Sequence, residues 1–158
     1  MKKTLLVPLA LLLAVTPAFA RWEFADDSND SGDLFVASQI DTTNTIEVQV
    51  LCDEALDGKL LFSIFTGIDP GKRKDFSPPV PVTVAFGSVV YADLEGKVVD
   101  IEDERILDIS EADESDVRNI AHAIRKGKEM SVAYLGEHFT VPAQDAPDVL
   151  AKILERCP

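Results

Sequence analysis

The chain has 158 residues, and its 15 Lys and Arg face 28 Asp and Glu for a formal net charge of −13. An acidic surface of this kind repels nucleic acid and anionic membranes, and it attracts a basic protein, a cationic ligand or a divalent metal. With two cysteines in the whole chain, thiolates alone do not complete a tetrahedral metal shell.

The N-terminus reads Met1-Lys2-Lys3, then an apolar run from Leu5 to Val15, then Pro17-Ala18-Phe19-Ala20. A positive start, an apolar middle and a small-x-small end are the parts of a secretory signal peptide. The run falls short of the about 20 residues that span a bilayer. Cleavage is expected after Ala20, which gives a mature chain from Arg21 to Pro158, and that length suits a single domain with its own core. Lys2 and Lys3 depart with the leader, so 13 bases then oppose 28 acids, a net charge of −15. The expected compartment is the periplasm or the exterior. No second apolar segment approaches spanning length, so no transmembrane segment is expected in the mature chain.

Residues 25–33 read as a polar loop after Trp22 and Phe24. Within it Asp27, Asn29 and Ser31 alternate oxygen ligands before Gly32, like the opening of a calcium loop. The closing position is Ser38 rather than a bidentate Glu, so the metal reading is weak and a solvated acidic turn is favoured. Strands are expected over Leu34 to Ile40, Thr45 to Cys52 and Lys59 to Thr66, with turns at Asp41-Thr42-Thr43-Asn44 and Asp53 to Gly58. Lys72, Arg73 and Lys74 form a basic loop tip, a candidate partner contact. Pro78, Pro79 and Pro81 lead into a strand from Val82 to Phe86.

Ser88 to Leu94 and Lys97 to Ile101 read as a hairpin across Glu95-Gly96, with a short strand at Ile106 to Ile109. Residues 93–116 hold 11 Asp and Glu against Lys97 and Arg105. Glu102, Asp103 and Glu104 are the candidate contact residues there for a cationic partner; the plainer reading is a solvated edge that resists aggregation. Val117, Ile120, Ala121 and Ile124 recur at helical spacing, with Ser115 as a capping candidate and Gly127 as the stop. Met130 to Leu135 and His138 to Val141 form a hairpin across Gly136-Glu137. Asp145 and Pro147 open a final helix to Cys157.

This order predicts an α+β domain: a mainly antiparallel sheet with two amphipathic helices on one face. Cys52 ends an alternating core strand, and Cys157 continues the stripe Val149, Leu150, Ile153, Leu154. Both thiols face inward, and export exposes them to oxidation. A Cys52–Cys157 disulfide is therefore expected, worth ~4–5 kcal/mol on chain-entropy grounds.

No motif names a reaction. His122 lies off the apolar stripe and His138 starts a hairpin, and neither has a His-Glu-x-x-His, Gly-x-Ser-x-Gly or Cys-His setting. The chain is read as a non-enzyme, and no cofactor is implied.

The spacing of Trp22, the acidic loop, Phe35 to Ser38, Cys52 and Leu60 to Phe65 resembles a known group of proteins. Helix Val117 to Gly127, strand Ser131 to Tyr134, the Gly136-x-x-Phe139-x-Val141 step and Cys157 extend the likeness across most of the mature chain. It is similar to the VasI-like family, small exported proteins encoded with type VI secretion systems. Pro78-Pro79-Val80-Pro81 and the acidic 93–116 segment depart from that pattern. The resemblance implies a periplasmic protein acting through protein contacts, accessory to envelope or secretion machinery. The rival readings are an inhibitor or immunity protein for a basic cell-wall hydrolase, an unrecognised hydrolase, and a calcium-binding module.

Overall fold

The computed structural model describes residues 21–30, 32–71, 76–109 and 114–157. Residues 1–20, where the leader is expected, Ser31 of the acidic loop, residues 72–75 with the tip Lys72, Arg73 and Lys74, residues 110–113 of the acidic segment and Pro158 lie outside the described residues.

Alternation of apolar and polar residues produces the sheet. Strand β1 covers Glu23–Asp26, β2 Leu34–Ile40, β3 Glu47–Asp53 and β4 Lys59–Phe65. Then come β5 (Val80–Phe86), β6 (Val89–Ile101), β7 (Glu104–Asp108), helix α1 (Glu114–Arg125), β8 (Met130–Tyr134), β9 (Glu137–Val141) and helix α2 (Ala146–Arg156). The strands lie in the order β1-β2-β3-β4-β7-β6-β5-β8-β9 and every pairing is antiparallel. The expected α+β class is what the chain adopts.

Register carries the apolar set to one face. Phe35 sits opposite Cys52, which sits opposite Leu60; Ala37, Val50 and Phe62 form the next row. Val48, Ile64 and Leu107 continue it across β3, β4 and β7. All of these are buried. On β5, Val80, Val82, Val84 and Phe86 alternate inward. A one-residue slip would turn each row to solvent, so the pattern fixes the register.

Both helices cover this face over β2, β3 and β4. Val117, Ile120, Ala121 and Ile124 of α1 and Val149, Leu150, Ile153 and Leu154 of α2 are buried in the common core. Cys52 and Cys157 form the disulfide, with Cα atoms 5.8 Å apart and both residues fully buried. It fastens the end of α2 to β3. Arg118 of α1 donates to the Cys157 carbonyl at 3.1 Å, which satisfies an orphaned acceptor at the helix end with a positive group. Lys152 and Arg156 of α2 lie over the rings of Phe24 and Phe35, at 4.9 and 4.8 Å from their centroids.

The sheet curls until its two ends approach each other. Trp22, just before β1, donates its backbone N–H to Gln144 O at 3.0 Å and its indole N–H to Pro142 O at 2.9 Å. The backbone N–H of Thr42, after β2, donates to Thr140 O on β9 at 2.9 Å. Strand β6 makes the bend. Its Val89–Gly96 half pairs with β5 and its Lys97–Ile101 half with β7. Between them Ala92 and Asp93 oppose the single Thr83, and Asp93 has φ 58°. That is a β-bulge, which bends a strand and raises its twist.

Three sequence expectations change here. The hairpin expected at Glu95-Gly96 does not exist, because β6 runs through it without a turn. Gly96 is needed for close approach instead: a Cβ there would lie 2.8 Å from Val80 O and 3.1 Å from Val82 Cγ2. The residues 25–33, read as loop, begin with the edge strand β1, whose Phe24 stacks on Phe35 at 6.3 Å. Ser115 is inside α1 rather than at its cap.

The turn Asp41-Thr42-Thr43-Asn44 is built on one carboxylate. Asp41 is buried and accepts from Thr43 N and Oγ1, Thr45 N and Ile46 N at 2.9, 2.5, 2.6 and 2.9 Å. Burial acts to raise its pKa, but the Thr43 hydroxyl and the backbone N–H groups of Ile46, Thr45 and Thr43 outweigh it, and the carboxyl titrates below its ordinary value.

Candidate functional site

Strand β6 carries its chain to Ile101, turns at Glu102-Asp103 and returns as β7 from Glu104. Glu102 sits at φ 53°, a conformation with a Cβ clash that glutamate seldom adopts. The turn therefore holds three consecutive carboxylates beside an isoleucine that is 52% exposed.

The segment after β4 is laced to this hairpin. Thr66 donates to Arg105 O through its N–H at 3.1 Å and its hydroxyl at 2.6 Å, and Arg105 N–H donates to Ile68 O at 2.9 Å. Gly67 N–H donates to Glu104 Oε1 at 2.7 Å. Only glycine fits that position, since a Cβ would stand 2.7 Å from Thr45 O and φ is 64°. The Arg105 side chain completes the clasp. Its Nε and Nη2 donate to the two carboxylate oxygens of Asp100 at 2.8 and 3.1 Å, and Nη2 also reaches Pro70 O at 3.2 Å. Its guanidinium lies over the Phe76 ring, 5.2 Å from the centroid. The hydrogen bond from Arg105 holds the Asp100 carboxyl below its ordinary pKa and raises that of Arg105 in return.

These elements enclose an open recess of about 310 Å³, lined by Phe65, Gly67, Ile101, Glu102, Asp103 and Glu104. All three carboxylates singled out in the sequence thus line one depression. Glu104 is partly committed to Gly67, whereas Glu102 and Asp103 are exposed. The arrangement suits a lysine or arginine side chain: its alkyl stem can lie along Ile101 and Phe65 while its charged head meets the carboxylates. Phe65, Gly67 and Ile101 were not singled out from the sequence. Their signal was available in Ile101, an apolar residue directly before the acidic triplet, once Glu102-Asp103 is read as the turn.

The other candidates lie elsewhere. Asp27 and Asn29 are exposed in the β1–β2 connection, where Asp27 N–H donates to Leu34 O at 2.8 Å and Asn29 and Gly32 exchange backbone hydrogen bonds. Ser28 Oγ accepts from Leu34 N–H at 3.2 Å. Among the described residues no group of three or more His, Cys, Asp or Glu is placed to hold a metal ion. His122 on α1 and His138 on β9 are both exposed and neither lines the recess. Among the described residues no helix is long and apolar enough to cross a membrane.

Family models, curated proteins and solved structures were compared with the chain, and none of them matches it. The resemblance to VasI-like proteins expected from the sequence rests on residue spacing and the two cysteines.

Proposed function

We propose that this is an exported, non-enzymatic protein that works by binding a basic protein through the recess at the Ile101–Glu104 hairpin. The observation that carries the reading is the exposed Ile101 set beside Glu102, Asp103 and Glu104 in one recess. An apolar contact ringed by charge gives both affinity and a preference for cationic partners. Export is supported by the signal-like pattern of Met1–Ala20 and by the Cys52–Cys157 disulfide, a bond that persists in oxidising compartments. A periplasmic protein accessory to envelope or secretion machinery fits these features.

The test places a photo-cross-linking residue at Asp103 of the chain in its native compartment and identifies what is joined to it. A basic protein is expected, with cross-linking lost when Glu102 and Glu104 are both changed to Lys. Cross-links that survive this reversal, or an acidic protein as the product, overturn the reading. The captured protein also separates the rival, since a lysozyme-like or amidase-like hydrolase that the chain inhibits identifies an immunity role.

A further inference from the structure

The geometry points to self-association: the free side of β6, over Val89–Tyr91, pairs antiparallel with the same segment of a second copy. Strand β7 accompanies β6 only from Lys97 to Ile101. Past Asp108, Ile109 N–H donates to Phe62 O on β4 at 2.9 Å, and residues 110–113 lie outside the described residues. From Val89 to Gly96, β6 is paired with β5 on one side, and among the described residues no strand pairs with its other side. Backbone donors and acceptors on such an edge form a template for one more strand.

The outer edges of the sheet are guarded, whereas the Val89–Ala92 part of this one carries no charge. Strand β1 carries Glu23 and Asp26, and β9 is met by the backbone of Thr42. In contrast, no charged residue occurs between Asp75 and Asp93, in a chain that is 27% charged. Val89 and Val90 are 42% and 56% exposed, on opposite faces of the strand. Tyr91 is held edge-on to Phe86 at 6.4 Å, which fixes the end of the hairpin.

A neutral, valine-bearing edge matches a neutral, β-branched strand, and each copy of the chain supplies one. With the two-fold axis at Val90, Val90 faces its symmetry mate, Val89 faces Tyr91, and Ser88 faces Ala92. Asp93 falls opposite Gly87, outside the pairing, so no two carboxylates oppose each other. The bulge at Ala92 and Asp93 bends β6 there and would bound the pairing between the two copies. Such isologous contact is the commonest way for one chain to pair with itself. Its short length places it among small interfaces, below about 1,200 Å² in total, with micromolar or weaker affinity. The net charge of −15 on each mature copy, 13 bases against 28 acids, opposes association at long range and is screened by salt.

Sedimentation velocity on the oxidised mature chain tests this, from about 5 to about 200 µM at ~0.3 M salt, a range that spans micromolar dissociation constants. The weight-average mass is expected to rise toward a dimer. Val90→Lys should stay monomeric, and Ile101→Lys, at the opposite end of the strand, should dimerise as before. Oxidised Val90→Cys should give a covalent dimer on a non-reducing gel, and Ala92→Cys should not. A native chain that remains monomeric throughout overturns the proposal, as does a dimer that Val90→Lys leaves intact. Ala92→Cys dimers forming as readily as Val90→Cys dimers would overturn the register.

Discussion

The half of the sheet beneath the helices and the half beyond β7 share one core but are secured differently. Strands β2 to β4 lie under α1 and α2 and are fastened by Cys52–Cys157, the Arg118 hydrogen bond and the Asp41 turn. On the other side, β5 to β9 rely on strand pairing, on the rings of Phe76, Tyr134 and Phe139 spaced at 6.4 and 5.4 Å, and on the Arg105 clasp. Both ends of β6 present surface features, the acidic recess at Ile101 and the uncharged edge at Val89. The covalent link and the helix packing thus sit on one side, and the proposed recognition surfaces lie where the sheet turns away from them. Variants that separate the two properties break or sharpen that division.

The largest effect is expected from the disulfide. A double Cys52→Ala, Cys157→Ala variant removes a link across 105 residues, worth ~4 kcal/mol on chain-entropy grounds. Urea unfolding should show a loss of that order, with a lower midpoint. Below the transition the recess should keep its partner affinity, because Arg105, Thr66 and Gly67 hold it without help from α2. Equal loss of stability and affinity would show that the two halves are one unit.

Asp41 comes next. Asp41→Ala leaves three backbone N–H groups of the β2–β3 turn without their acceptor, at a cost of roughly 2–3 kcal/mol. The same carboxylate gives the fold an acid limit. Its folded pKa lies below the ordinary 3.8, so its contribution is complete above that value and is lost as pH falls through it toward the folded pKa. Stability measured between pH 6 and pH 3 should therefore fall less steeply at the acid end in Asp41→Asn than in the native chain.

Reversing the recess charges with Glu102→Lys and Asp103→Lys should change stability by less than about 0.5 kcal/mol, as exposed sites do. It should weaken the basic partner by about tenfold or more, equivalent to ~1.4 kcal/mol. Salt separates the two ends of β6. Partner binding at the recess should weaken as salt rises from ~0.05 to ~0.3 M, whereas self-pairing at Val90 should strengthen, because one contact is attractive at long range and the other opposes like net charges. Titration calorimetry for the first and sedimentation for the second give the two signs directly.

The sequence made much of the helix-covered half legible and less of the other. Alternation in Ile46–Cys52 matched β3 because a half-buried strand repeats every two residues, and the apolar Leu34–Ile40 run, bounded by turn residues, matched β2. The stripe through Leu150, Ile153 and Leu154 carried on to Cys157, so the disulfide followed from two periodicities. Along β6 the local signals misled. Glu95-Gly96 has the composition of a hairpin turn, yet Gly96 serves the close approach of β5, a contact that nothing local announces. The real turn at Glu102-Asp103 lacks glycine, and its acidic residues disguised it as a charge run. Arg105 paired with Asp100 across that turn, so the clasp was invisible until the turn was placed.

That same turn carries the smallest of the expected effects. Glu102 sits at φ 53°, where a side chain costs ~1–2 kcal/mol that glycine avoids. Glycine also loses more chain entropy on folding, roughly 0.5–1 kcal/mol relative to alanine. The difference leaves Glu102→Gly more stable by about 0.5–1 kcal/mol. The substitution also deletes one carboxylate from the recess, so partner affinity should drop while the melting temperature rises. A residue kept in a costly conformation for its charge gives these opposite signs. A Glu102→Gly variant that binds as tightly as the native chain would show that Asp103 and Glu104 suffice, and would move the contact to the Ile101 side of the recess.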